Sequence, residues 1–118
     1  MIRAALIAAA LAALPVQAQE AAEAPGAVLR GLDKVAGTTS DLELAAGQSV
    51  AYGHIVVTLR ECRYPAEDPS SNAFAYLTIT DRTQTQVVFD GWMIADSPAL
   101  SALDHQRYDV WVIRCKID

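Results

Sequence analysis

Ile55-Val56-Val57-Thr58-Leu59-Arg60-Glu61-Cys62-Arg63-Tyr64 is the stretch whose reading decides the fold. Ile55, Val57 and Leu59 fall on one side of an extended chain, and Val56, Thr58 and Arg60 fall on the other. That two-residue period is the mark of a strand with one buried face. The same count carries Cys62 to the side opposite the apolar row. Either a bulge near Glu61 shifts the register, or the cysteine sits on the outer face of its sheet; the sequence admits both.

Downstream, Pro65 to Asn72 holds two prolines and no large apolar side chain, so it reads as a loop. Ala73 to Thr80 is the next strand, with Ala75, Leu77 and Ile79 toward the core and Phe74, Tyr76 and Thr78 outside. Asp81 to Gln84 is a hairpin turn, and Thr85 to Trp92 returns with Val87 and Phe89 on one face. Ser97 is placed to cap a helix, Pro98 suits its first position, and Leu100 and Leu103 share a face of about two turns. Tyr108 to Ile117 closes the chain, with Trp111, Ile113 and Cys115 on one side and Val110, Val112 and Arg114 on the other. Apolar residues on both sides suggest a central strand. Upstream, Lys34–Thr39, Asp41–Leu44 and Ser49–Tyr52 are short strand candidates. The expected fold is all-β: a small sandwich or partly open barrel of six to seven strands, with one short helix near residues 98–104.

The N-terminus carries a different signal. Arg3, the apolar run Ala4–Leu14 and the small-residue ending Pro15-Val16-Gln17-Ala18 read as a secretory signal peptide over residues 1–18. The run is shorter than the roughly 20 residues that span a bilayer. Cleavage is expected after Ala18, delivering the chain to the periplasm with no integral membrane segment left. Residues 19–29, rich in Ala, Glu and Pro, read as a disordered tail, and residues 30–118 as a single β domain. The full chain has 118 residues and a net charge of −5, and loss of Arg3 leaves it more acidic. That balance argues against nucleic acid as a partner. Cys62 and Cys115 are an even pair in an exported chain, which favours a disulfide. The alternative is two buried thiols.

A set of residues also carries a resemblance. Asp33-Lys34, Cys62, Gly91-Trp92-Met93, Ser97-Pro98-Ala99-Leu100, Ala102-Leu103, His105, Tyr108-Asp109-Val110-Trp111-Val112 and Cys115 resemble domain-of-unknown-function family 2155. The resemblance runs over roughly residues 30–116. It implies a small exported bacterial protein without assigned activity, and it supplies no catalytic or ligand residue.

Reactive side chains are sparse. Ser97 and His105, with Asp90, Asp96, Asp104 or Asp109, lack the G-x-S-x-G elbow that exposes a nucleophile. His54 and His105 lack metal-ligand spacing, and Asp104 with Asp109 reads as a solvated acidic loop. Neither a cofactor nor an enzymatic activity is expected. The residues that suggest function are apolar: Trp and Met are enriched at interfaces. Trp111 reads as core, and Trp92 reads either as core, packed on Trp111, Leu100 and Leu103, or as surface. Trp92, Met93, Leu100, His105 and Tyr108 form the candidate surface for another envelope protein. Phe74 and Tyr76 add to a partner site if the exposed aromatic residues are contiguous. The expected function is a non-enzymatic protein-binding module or accessory factor of the bacterial cell envelope. The alternative is a periplasmic enzyme inhibitor, with the Pro65–Asn72 loop as its finger, or a small-ligand carrier.

Overall fold

A computed structural model describes residues 20–118. The expected signal peptide lies outside the described residues. Eight strands follow in order: β1 Ala21–Ala24, β2 Gly26–Asp33, β3 Thr38–Ala45, β4 Ser49–Tyr52, β5 Ile55–Pro65, β6 Phe74–Asp81, β7 Gln86–Ile94 and β8 Tyr108–Lys116. They form two antiparallel sheets. The larger has the order β1-β5-β6-β7, with β4 also on β5; the smaller has the order β3-β2-β8. The fold is an all-β sandwich, and the barrel alternative is set aside because the two sheets do not close on each other.

The alternation of β5 and β6 holds as the sequence suggests. Ile55, Val57, Leu59, Leu77 and Ile79 are fully buried. Leu29 from β2 and Val110 and Val112 from β8 join them in one core. Burial of this kind contributes about 25 cal/mol for each Å² of apolar surface removed from water. The bulge expected near Glu61 is present: Leu59 pairs with Leu77 and Glu61 with Tyr76, leaving Arg60 as the extra residue. A second bulge lies in β8. Leu29 pairs with Val112 and Val28 with Arg114, so Ile113 is extra. Each bulge turns a cysteine inward, and Cys62 and Cys115 meet as a disulfide with Cα atoms 5.8 Å apart. The bridge joins β5 of one sheet to β8 of the other.

Several expectations are corrected. The segment expected as a disordered tail over residues 19–29 is ordered across its described part, residues 20–29: β1 pairs with β5, and β2 is the central strand of its sheet. Ala24, Ala27, Val28 and Leu29 are buried. Pro25 between β1 and β2 has no N–H for a ladder, and the chain changes sheets there. β8, by contrast, has one neighbour among the described residues and is an edge strand. Its inward row is Tyr108, Val110, Val112 and Cys115, so Trp111 is half-buried on the outer side rather than core. A bulge between Ile79 and Thr80 in the β6–β7 ladder removes Val87 from the face of Phe89, and Val87 is exposed. The helix of residues 98–104 reduces to a 3-10 turn, Pro98–Leu100, where Ser97 makes no side-chain cap.

Gly53 shows how closely the elements meet. It turns between β4 and β5 with φ of 57°, a left-handed value that suits glycine. A Cβ there would overlap the Tyr108 hydroxyl.

Candidate protein-binding face

The five residues expected to form one surface are separated by the fold. Met93 is 1% exposed and Tyr108 is 1% exposed, so both are core. Met93 pairs with Ala75, a core residue of β6, and so faces inward. Leu100 is 77% exposed on the 3-10 turn. His105 is largely buried in a polar network. Trp92, for which the sequence leaves both core and surface open, lies on the outer face of β7.

On that face the cross-strand rows bring aromatic residues together. Tyr76 lies between Glu61 and Trp92, and Phe74 lies between Arg63 and Ile94. The Tyr76 and Trp92 rings meet edge to face, with centroids 5.3 Å apart. The Arg63 guanidinium sits 5.8 Å from the Trp92 ring centre and is ion-paired with Glu61. Arg60, the extra residue of the β5 bulge, donates to the Thr78 hydroxyl, which donates in turn to Asp90. The result is an apolar centre of Phe74, Tyr76, Trp92 and Ile94 with a charged rim. Desolvation by the neighbouring side chains, with the Asp90 carboxylate nearby, raises the Tyr76 phenol above its ordinary range. The aromatic row of Phe74, Tyr76 and Trp92 is contiguous, which the sequence left open. The missed members, Ile94 and Arg63, follow only from the strand register.

His105 acts at the other end of the sandwich. Its Nδ1 accepts the amide hydrogens of Arg107 and Tyr108, at 3.0 and 3.2 Å. Nε2 is then the protonated nitrogen and donates to Asp81 Oδ2 at 2.8 Å. Asp81 is 3% exposed. Its Oδ1 also accepts from the Thr83 hydroxyl and from the amides of Thr83 and Gln84. These bonds, the Thr83 hydroxyl first and His105 next, hold the Asp81 carboxyl far below the usual carboxylate range. Both imidazole nitrogens are thus committed to structure, and the partner acid is not among the aspartates considered from sequence. Ser97 has no bond to His105 here. Its amide donates to the Ile94 carbonyl.

Next to this pair, the Arg107 guanidinium forks onto Asp33 at 3.1 to 3.3 Å and lies over the Tyr108 ring. Asp33 also accepts the amides of Val35 and Ala36. The Arg107 bond is the largest cause of its lowered pKa. The Tyr108 hydroxyl accepts from the His54 amide at 3.1 Å. The two histidines therefore lie near the same end, but no group of three or more metal-ligating side chains occurs among the described residues. The Pro65–Asn72 loop is folded on itself, with Ser70 and Ser71 both bonded to Asp68. No helix among the described residues is long and apolar enough to cross a membrane.

Residues 27–115 match the model of a family described as an uncharacterized protein conserved in bacteria. The chain is also similar to the uncharacterized protein RP359 of Rickettsia prowazekii (strain Madrid E). The two are 26% identical over 87 residues, covering 71% of this chain and 56% of the relative. The chain therefore spans a little over half the length of that curated relative. No solved structure matches it. The family match takes in both bridged cysteines, the aromatic face and the His105–Asp81 pair, and the chain belongs to the DUF2155 family of uncharacterized bacterial proteins.

Proposed function

We propose that this protein is a non-enzymatic protein-binding module, an accessory factor of the bacterial cell envelope, and that it binds its partner through the outer face of the larger sheet. The observation that carries the reading is the contiguous patch of Phe74, Tyr76, Trp92 and Ile94. A large aromatic anchor ringed by polar side chains is the usual anatomy of an interface centre. Trp92 is 37% exposed, enough to be buried further by a partner. The disulfide supports an oxidising compartment such as the periplasm. The commitment of both His105 nitrogens to the fold supports the non-enzymatic part of the reading.

The test is in-cell crosslinking from a photoreactive aromatic residue at position 92, with a second probe at position 100. One discrete adduct with another envelope protein from position 92, weakened by Tyr76→Ala, is the expected result. An adduct from position 100 with none from position 92 would place the contact elsewhere and sink this assignment.

A further inference from the structure

Among the described residues the two sheets end in strands of different character. β1 and β4 are four residues each. β3 is exposed over most of its length and carries Asp41 and Glu43. β7 carries Asp90 and borders a bulge. Short length, charge and bulges are the usual protections of a free edge. β8 has a bulge too, but its charges Asp109 and Arg114 flank its centre rather than interrupt it: Val110-Trp111-Val112-Ile113 are four uncharged residues of high strand preference, with β2 on one side only.

We propose that β8 is the pairing edge of a symmetric dimer, in which a second copy of the chain adds its own β8 antiparallel to the first. The sheet then runs β3-β2-β8 and on through β8-β2-β3 of the other copy. This goes beyond the protein-binding reading and uses a different surface, since the outer face of the larger sheet stays open.

The register follows from the side-chain faces. Antiparallel partners must point to the same side of the sheet. Along β8 the inward row is Tyr108, Val110, Val112 and Cys115, while Asp109 and Trp111 face outward. The bulge makes Ile113 and Arg114 together count as the next outward position. A two-fold axis at Trp111 keeps every pair on a common face. It sets Trp111 against its own copy and Asp109 against Arg114 of the second copy, twice by symmetry. Among the described residues, neither Asp109 nor Arg114 is in an ion pair within its own chain. Shifting the axis to Val112 would instead set Asp109 against Lys116, which is already paired with Glu43. The Trp111 register therefore matches two unpaired charges.

A second feature lies on the same edge. A groove of about 340 Å³ runs between Asp109–Trp111 and the wall formed by Pro98, Ala99 and Ala102. In the proposed register, the segment facing Asp109–Trp111 is Trp111 to Arg114 of the second copy. Ile113 of that copy is the apolar side chain brought to the groove.

The test is sedimentation of the oxidised chain beside Asp109→Arg and Arg114→Asp, alone and mixed. The unaltered chain should sediment as a dimer. Each single reversal sets like charges opposite each other at both ends and should weaken association by about a hundredfold or more. Mixing the two variants restores both opposite-charge pairs across the axis, so a heterodimer should form, identified by a mass tag on one chain. A monomeric unaltered chain overturns the proposal. So does a dimer that survives either reversal, or a mixture that stays monomeric while circular dichroism shows both variants folded.

Discussion

The two ends of the sandwich are closed by different chemistry. At one end, a single covalent bond between Cys62 and Cys115 ties β5 to β8 across the core. At the other, no bond crosses covalently. Asp81, His105, Arg107, Asp33 and Tyr108 are linked by hydrogen bonds among the β2–β3 turn, the β6–β7 turn and the start of β8. The first closure depends on redox state and is indifferent to acid. The second depends on protonation and is indifferent to reductant. One small core is thus held by two closures that fail under separate conditions.

Removing the covalent closure should have the largest effect. The bridge spans a sequence separation of 53 residues. Loop-closure entropy gives such a bridge about 4 kcal/mol, a large share of the roughly 5–15 kcal/mol that stabilises a domain of this size. Cys62→Ser with Cys115→Ser should lower the free energy of unfolding in urea by about that amount. Hydrogen exchange should rise first in β1 and the end of β5. A loss under about 1 kcal/mol would show that packing already holds this end and that the contrast between the ends is false.

The hydrogen-bonded end comes next. His105→Ala deprives the Asp81 carboxylate of one donor and leaves the Arg107 and Tyr108 amides without their acceptor. The expected loss is about 2–3 kcal/mol. Protection from exchange should fall in the 82–85 turn and at Tyr108, while the disulfide end is unchanged. Uniform loss of protection in both ends would mean that the sandwich opens as one unit.

Acid separates the two closures without mutation. Asp81 and Asp33 both titrate below the usual carboxylate range, because hydrogen-bond donors favour their charged forms. A lowered pKa contributes stability that is full above the unfolded value, near pH 4. The contribution is lost as pH falls toward the folded values. Stability should therefore decline as pH drops below about 4, and Asp81→Asn should flatten that decline. Reduced and oxidised chains should show the same slope. A slope unchanged in Asp81→Asn would remove this carboxylate as its source.

What the sequence discloses and what it hides divide along physical lines. β5 and β6 each show one apolar face, so alternation places Ile55, Leu59, Leu77 and Ile79 correctly. β1 and the start of β2, through Ala27, hold only Ala, Glu, Pro and Gly, a composition shared with disordered tails. Their burial comes from close approach between sheets beside the disulfide, where small residues fit. The β8 bulge at Ile113 hides the inward row, because a one-residue insertion inverts the alternation after it. Trp92 and Met93 are neighbours with opposite fates, decided by register: Trp92 pairs with Tyr76 outside and Met93 with Ala75 inside. The Asp81–His105 contact joins residues 24 apart with no spacing motif, and only the meeting of the β6–β7 turn with the approach to β8 creates it.

The smallest stability change is expected at Trp92, and it relates the ends to function. The aromatic face lies outside the covalently closed end: Glu61, Arg63, Phe74 and Tyr76 belong to the parts of β5 and β6 that flank Cys62. Trp92→Ala removes one edge-to-face contact with Tyr76 and a cation over the ring. The fold should lose only about 1 kcal/mol, whereas partner binding, measured with the partner captured by crosslinking, should fall by about 2 kcal/mol or more if Trp92 is the anchor. Reduction of the disulfide should weaken binding as well, because β5 then loses its tether to the smaller sheet. His105→Ala, at the far end, should leave affinity unchanged while the chain remains folded. Equal loss of affinity from the two ends would mean that the partner reads the whole sandwich rather than the platform held by Cys62 and Cys115.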